Sequence, residues 1–376
     1  ESWTNTLTGH PMPSLAYKNE LKKFREGLPF ALTETQDEAV KDIFSDLTLD
    51  KPMNRLIQGD VGSGKTVISA FAMYLAHLNG FQSVLMAPTE ILAEQHYLTL
   101  KNFLEPHGVS VSLETGTKKS TKKTQVKKNI KVKPDTTYQI LDTNVLVGTH
   151  AVLSDRVRFN RLGLIVIDEQ QRFGVEQRSI IRDKGDNPHF LTMTATPIPR
   201  TVALTLYGDL DVSYLTTLPK GRKVIKTWLV PAEKRDGAYG WIRKQITETD
   251  SQIFIICPFI ETSENMQTVK AAAVEFERLQ KSVFPDLRLG LLHGKMKSSD
   301  KNQVLADFKD KKYNILVATP VVEVGIDVPN ATVIMIEASE RFGLAQLHQL
   351  RGRVGRGEKQ SYCLLFTEAT SERSIE

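Results

Sequence analysis

Cysteine is nearly absent: Cys257 and Cys363 are the two in 376 residues. So few cannot staple a chain of this size, which excludes a disulfide scaffold. Both lie in apolar, strand-like runs and read as small core residues of a protein in a reducing cytoplasm. The eight histidines keep no metal-ligand spacing with each other or with cysteine. No structural zinc is therefore expected. No apolar run reaches the roughly 18 residues that a membrane-spanning helix needs, so no membrane partner is expected. The first residues, Glu1-Ser2-Trp3, carry neither an initiator methionine nor a signal-peptide pattern, and residues 370–376 are a polar run. Both ends read as internal to a longer protein.

What is present is ordinary in bulk and informative in arrangement. Hydrophobic residues make up 40% and charged residues 25%, as in a soluble globular protein long enough for two or three domains. The net charge of +5 hints only weakly at a polyanionic partner. Its distribution says more. Lys118, Lys119, Lys122, Lys123, Lys127, Lys128, Lys131 and Lys133 crowd one polar segment with almost no acid. That insert at 117–135 reads as a mobile surface loop, either a solvated face or a contact to a phosphate backbone.

Residues 59–66 read G-D-V-G-S-G-K-T, the spacing of a phosphate-binding P-loop. An apolar stretch, Leu56-Ile57, precedes it, and a helical run over 67–78 follows. Glycine lets such a loop curl so that successive N–H groups face phosphate oxygens, and the helix N-terminus adds positive potential. Gly59, Asp60, Gly62, Ser63 and Gly64 would line the loop. Lys65 would reach the β- and γ-phosphates of ATP, and the Thr66 hydroxyl would hold Mg²⁺.

A second element is the apolar run 164–167 ending in Asp168-Glu169. Ligands of open α/β sheets bind beyond the carboxyl ends of strands. Asp168 there is a candidate for Mg²⁺ through its water shell, and Glu169 for orienting or deprotonating the attacking water. A third is Q-L-R-G-R-V-G-R over 349–356. Arg353 and Arg356 are three apart, so on a helical turn they would share a face and suit a triphosphate.

Strand-like and helical patterns alternate along the whole chain. Strands are predicted over 83–87, 109–113, 144–148, 162–167 and 189–194, then over 252–257, 287–292, 313–318, 332–336 and 361–366. Helices are predicted over 89–104, 265–281, 298–308 and 344–351, with Ser298-Ser299-Asp300 as an N-terminal cap. This rhythm predicts two similar α/β domains, each a mainly parallel sheet flanked by helices, with a cleft between them. Their expected limits are 31–212 and 231–376. Residues 1–30 form an irregular polar extension, and a Pro- and Gly-bearing linker at 213–230 acts as a hinge. No short internal repeat is evident.

Taken together, these motifs resemble the motor core of a superfamily 2 nucleic-acid helicase over nearly the whole chain. The resemblance implies two tandem RecA-like domains, ATP and Mg²⁺ as cofactors, and duplex or branched DNA contacted through its backbone. Leu32-Thr33 with Gln36 is similar to the adenine-reading Q motif, and 59–66 to motif I. Pro88-Thr89, Thr115-Gly116, Thr149-His150, His293 and Thr319 are similar to strand-contacting positions. Asp168-Glu169 is similar to motif II and 194–196 to motif III. Gly325 and Asp327 belong to a motif V-like stretch, and Gln349, Arg353 and Arg356 to motif VI. Long strings at 58–66, 86–96, 194–201 and 340–353 resemble the bacterial branch-migrating DNA translocases of recombination and repair. The transcription-repair coupling translocases are the nearest rival. An RNA helicase and a nucleotide-gated binding module are the further alternatives, and a metabolic kinase a weaker one.

Three departures stand out: Gln171 where the family has His, Pro320 where it has Thr, and the length of the Lys-rich insert. The fork-splitting OB-fold wedge of such translocases, and the helical hairpin after motif VI, match none of these residues. A monomeric, nucleoid-associated bacterial motor is the resulting expectation.

Overall fold

The computed structural model describes residues 8–116, 139–140, 142–195, 210–217, 223–258, 265–320, 328–355, 357 and 359–367, the side chains of 139–140, 265–271 and 298 excepted. The Lys-rich insert, Gly325, Asp327 and Arg356 lie outside the described residues. The chain divides into two compact units, Glu1–Pro219 and Lys220–Glu376.

The first unit is built on a seven-stranded sheet. Its strands are β1 (Asn54–Gly59), β2 (Gln82–Met86), β3 (Val111–Glu114), β5 (Val145–Gly148), β7 (Leu162–Asp168), β8 (His189–Thr194) and β9 (Asp211–Leu215). All pairs are parallel, in the order β3-β5-β2-β7-β8-β1-β9. A separate two-stranded ladder joins β4 (Gln139–Ile140) to β6 (Val157–Arg158). Every residue of β7 is buried, as a strand covered on both faces requires. Helix α3 (Lys65–Leu78) is buried without a break over 67–76, so it is a core helix, apolar on all sides. Helices α2 (Glu34–Leu47) and α4 (Glu90–Leu104) pack against it.

Two stretches differ from the sequence expectation. Residues 1–30 are not irregular throughout, because α1 (Lys18–Glu26) forms among them. Leu21 and Phe24 share its inner face, and Phe24 stacks on Tyr74 with centroids 4.8 Å apart. Two apolar anchors among lysines are too few to show as a periodic pattern. Likewise, residues 213–215 and 226–230 of the expected linker are strands. Strand β9 closes the first sheet, held where Arg55 Nη1 donates to Ser213 Oγ (2.8 Å) and Ser213 Oγ to Asp42 Oδ2 (2.7 Å). Strand β10 (Lys226–Val230) opens the second sheet, exposed at four of its five positions. Edge strands with few inward side chains lack the alternation that would reveal them.

The second unit has six parallel strands in the order β10-β15-β14-β11-β13-β12. The others are β11 (Gln252–Ile256), β12 (Leu289–Leu292), β13 (Ile315–Ala318), β14 (Ala331–Ile336) and β15 (Tyr362–Phe366). Its helices are α6 (Arg235–Thr249), α7 (Asn265–Arg278), α8 (Ser298–Lys309) and α9 (Leu344–Arg351), with apolar clusters on both sheet faces. The N-cap position of α8 falls on Lys297, in extended backbone, one residue before the expected Ser298-Ser299-Asp300 cap. Both cysteines are buried. Burial pushes the thiols up, that of Cys363 to about 12, so neither is poised as a nucleophile.

A short repeat, missed in the sequence, appears in both units. After β7 comes a left-handed Glu169, a one-turn 3₁₀ segment (Gln170–Arg172) and the tripeptide Arg172-Phe173-Gly174. Helix α5 (Val175–Arg182) follows. After β14 come Ala338, also left-handed, then Ser339–Arg341, Arg341-Phe342-Gly343 and α9. Both phenylalanines are buried. Three identical residues were too short a match to register as a repeat.

Candidate nucleotide and strand-binding site

Because the first sheet is wholly parallel, its strands deliver all their trailing loops to one edge. Strand order then sorts those loops. The residues expected to contact a nucleic-acid strand follow β3, β5 and β2, which are neighbours. The residues expected to hold nucleotide follow β7 and β1, on the other side of the same edge, with β8 between them.

The loop after β1 is compact. Gly64 has φ +90°, and a Cβ added there would sit 2.3 Å from Gln36 Nε2. A side chain is excluded both by conformation and by space. Gln36 is buried and its amide is engaged at both ends. Nε2 donates to Ser63 O at 2.8 Å, and Oε1 accepts from Thr33 N at 2.9 Å. In this arrangement Gln36 braces the loop. Lys65 Nζ folds back to donate to Gly59 O (2.6 Å) and Asp60 O (2.9 Å).

Thr66 and Asp168 meet on one imidazole. His96 Nε2 lies 2.7 Å from Asp168 Oδ2, and His96 Nδ1 lies 3.4 Å from Thr66 Oγ1. A ring protonated on Nε2 donates to the carboxylate and leaves Nδ1 to accept from the hydroxyl. Burial alone would push the Asp168 carboxyl up. The His96 hydrogen bond, the Lys65 charge and the Glu169 amide (3.0 Å to Oδ1) outweigh burial and hold it below its ordinary value. A hydroxyl, a carboxylate kept ionised and a lysine at the N-terminus of a long helix form a donor set that fits a nucleotide phosphate with a hard divalent cation.

Glu169 sits at φ 51°, ψ 55°, a costly conformation for a residue other than glycine, typical of active-site turns. Gln171 Nε2 donates to Glu169 Oε2 at 2.6 Å, and Thr194 Oγ1 donates to Gln171 Oε1 at 3.4 Å. Gln171 therefore links the end of β7 to the end of β8, as a hydrogen-bonding side chain without a titratable ring.

On the strand-contact side, Thr89 caps α4, its Oγ1 accepting from Leu92 N at 3.3 Å. Pro88 and Thr89 are half-buried, Thr115 and Thr149 buried, and Gly116 and His150 exposed. His150 rests against Phe173, with ring centroids 5.0 Å apart. Gly148 closes β5 where an added Cβ would lie 2.3 Å from Glu114 O. That glycine is required by the packing of β5 on β3.

In the second unit, His293 and Thr319 follow the adjacent strands β12 and β13. Thr319 is buried. Burial, joined by the charges of Lys301 and Lys295, pushes the His293 imidazole down. Gln349 is buried on α9. The helix ends at Arg351, with Gly352 as its C-cap, and Gly355 has φ +76°. Arg353 therefore lies beyond the helix, its amide donating to Leu350 O at 2.9 Å, and is 5% exposed. Of the expected Arg353–Arg356 pair, Arg353 thus lies past the end of the helix, and Arg356 lies outside the described residues.

His96, which bridges Asp168 and Thr66, is a residue that the sequence reading did not single out. Its signal was positional: it lies seven residues after Thr89, on the same face of one helix. Among the described residues no group of three or more His, Cys, Asp or Glu gathers as a metal cage, and no helix is long and apolar enough to cross a membrane.

Comparison with known proteins places the chain among helicases. The DEAD/DEAH box helicase family model matches residues 33–205, and the helicase conserved C-terminal domain model matches 238–358. The ATP-dependent DNA helicase RecG of Synechocystis is 51% identical over 351 residues, covering 93% of this chain and 41% of that protein. RecG of Bacillus subtilis is 45% identical over 357 residues, covering 95% and 51%. The chain thus spans about half the length of the curated relatives it matches. A solved structure of RecG bound to a three-way DNA junction matches 97% of this chain and 46% of that one, at 39% identity and TM-score 0.74. The structure of Mss116p bound to single-stranded RNA and AMP-PNP matches at TM-score 0.69 and 20% identity, covering 99% and 77%. That likeness speaks for the fold alone.

Proposed function

Since the chain belongs to the superfamily 2 helicases, alongside RecG, we infer that it is the ATP-hydrolysing motor core of a DNA translocase acting on branched DNA in recombination and repair. The observation that carries this reading is that strand order sorts the expected phosphate-binding and strand-contacting residues to opposite sides of one sheet edge. ATP use follows from the family; Mg²⁺ is the cation that the donor set suits. Thr66 and Asp168 would hold it, and the bound cation would neutralise phosphate charge. Lys65 and the amides of 62–66 bind and orient the phosphates, with Gln36 holding the loop in shape. Glu169, fixed by Gln171, orients the attacking water. Arg353, Arg356 and Gln349 are proposed to act on the charge that develops in hydrolysis, and Gly325 and Asp327 to face the nucleotide. Pro88, Thr89, Thr115, Gly116, Thr149, His150, His293 and Thr319 mark the path of the strand. Contacts of this kind position a motor and carry no sequence information, which suits an enzyme that walks any DNA. The reading also places the protein in the bacterial cytoplasm at the nucleoid, working as a monomer.

The test is ATP hydrolysis measured alone and with a three-way DNA junction, linear duplex DNA and RNA, over a salt series. The junction is expected to stimulate most, and stimulation to fall steeply as salt rises, because phosphate contacts release counterions. Equal or greater stimulation by RNA would overturn the DNA assignment.

A further inference from the structure

Helix α4 belongs to both halves of the sheet edge. Its N-cap is Thr89, in the strand-contacting set. In its first turn, Glu90 Oε1 lies close to Gly116, near enough that a Cβ added to that glycine would stand 3.1 Å from it. Two turns on, about 10 Å along the axis, His96 joins Asp168 and Thr66. His96 is 6% exposed. The helix packs on α3, which begins with Lys65 and Thr66, and on β3 and β5, whose loops carry Thr115, Gly116, Thr149 and His150.

We propose that His96 is a positioning residue for Thr66 and Asp168, the two groups that would hold the cation, and that it carries strand engagement at the start of α4 to them. The reasoning is mechanical. A helix is stiff over two turns, so a shift of its first turn against a bound strand moves His96 as well. The ring touches a carboxylate on one side and a hydroxyl on the other, so any such shift alters the spacing and aim of both. Without the ring, the buried carboxylate loses its 2.7 Å partner at Oδ2 and keeps the Glu169 amide at Oδ1, so its aim at a cation would loosen. No acidic or amide side chain substitutes fully: a glutamine at 96 reaches one of the two groups but not both.

This inference rests on the nucleotide-site reading above, and the experiment separates the two. Fluorescently labelled ADP is titrated into wild type, His96→Ala and His96→Gln, with and without Mg²⁺, and with and without a three-way DNA junction. In wild type, Mg²⁺ and the junction are each expected to change ADP affinity. In His96→Ala the gain from Mg²⁺ is expected to shrink about tenfold, the scale for losing a partner that orients a metal-binding group. The junction effect should disappear with it. His96→Gln should keep part of the Mg²⁺ gain and none of the junction effect. Should His96→Ala prove unfolded by circular dichroism, His96→Gln decides the matter alone. Variants with the Mg²⁺ gain and junction effect of wild type would overturn the role of His96 while leaving the nucleotide site standing. Wild type that binds no ADP would overturn both.

Discussion

Lys65→Ala is expected to lower ATP turnover at least about 100-fold, the scale for removing one donor aimed at developing charge. The ammonium lies at the mouth of the loop, donating to Gly59 O and Asp60 O. Those two carbonyls compete weakly with a triphosphate carrying several negative charges, so the side chain is held ready near the phosphate position. Removing it costs the fold little. A hydrogen bond to a charged group contributes about 1.5–3 kcal/mol when well shielded, and the contact to Asp60 O is open to water. Circular dichroism and thermal melting should therefore show a folded protein with a small shift, alongside lost hydrolysis. Turnover close to wild type in a folded Lys65→Ala variant would remove the phosphate assignment of residues 59–66.

Phe24→Ala is expected to destabilise the first unit by about 3–5 kcal/mol, the range for deleting a buried aromatic ring. Phe24 is fully buried. It stacks on Tyr74, meets Phe71 edge-on with centroids 4.8 Å apart, and lies 5.1 Å from His107. Three ring neighbours cannot all collapse into the space left behind, so the cavity term adds to the lost burial. Denaturant unfolding followed by a probe in the first unit checks this. A change below about 1 kcal/mol, the size of an ordinary surface substitution or a little more, would mean that α1 is an ornament on the unit and not part of its core.

Much of the arrangement was legible from residue order alone, for a physical reason. A parallel strand buried on both faces is a nearly unbroken apolar run, so β7 announces itself. A phosphate loop demands glycine at fixed steps, so 59–66 does too. What stayed hidden depends on sparse or non-local contacts. Helix α1 has two inward residues, and β9 and β10 are edge strands whose exposed positions blur any alternation. Spacing alone does not show that α9 stops at Arg351, with Gly352 as its C-cap, so the place of Arg353 beyond the helix was not legible. That Gln36 donates to Ser63 O, 27 positions away in sequence, was likewise not visible. His96 stands 72 positions from Asp168. One helical histidine carries no mark of such a partner until the sheet brings β7 beside β2.

The most direct test of the central claim, that residues 59–66 and the end of β7 form the grip on a triphosphate, is a crystal structure of the protein with a non-hydrolysable ATP analogue and Mg²⁺. The phosphates are expected against the amides of 62–66. Lys65 Nζ should have left Gly59 O and Asp60 O for a phosphate oxygen, with the cation between Thr66 and Asp168. A nucleotide bound elsewhere, with Lys65 still held by those two carbonyls, would contradict the account.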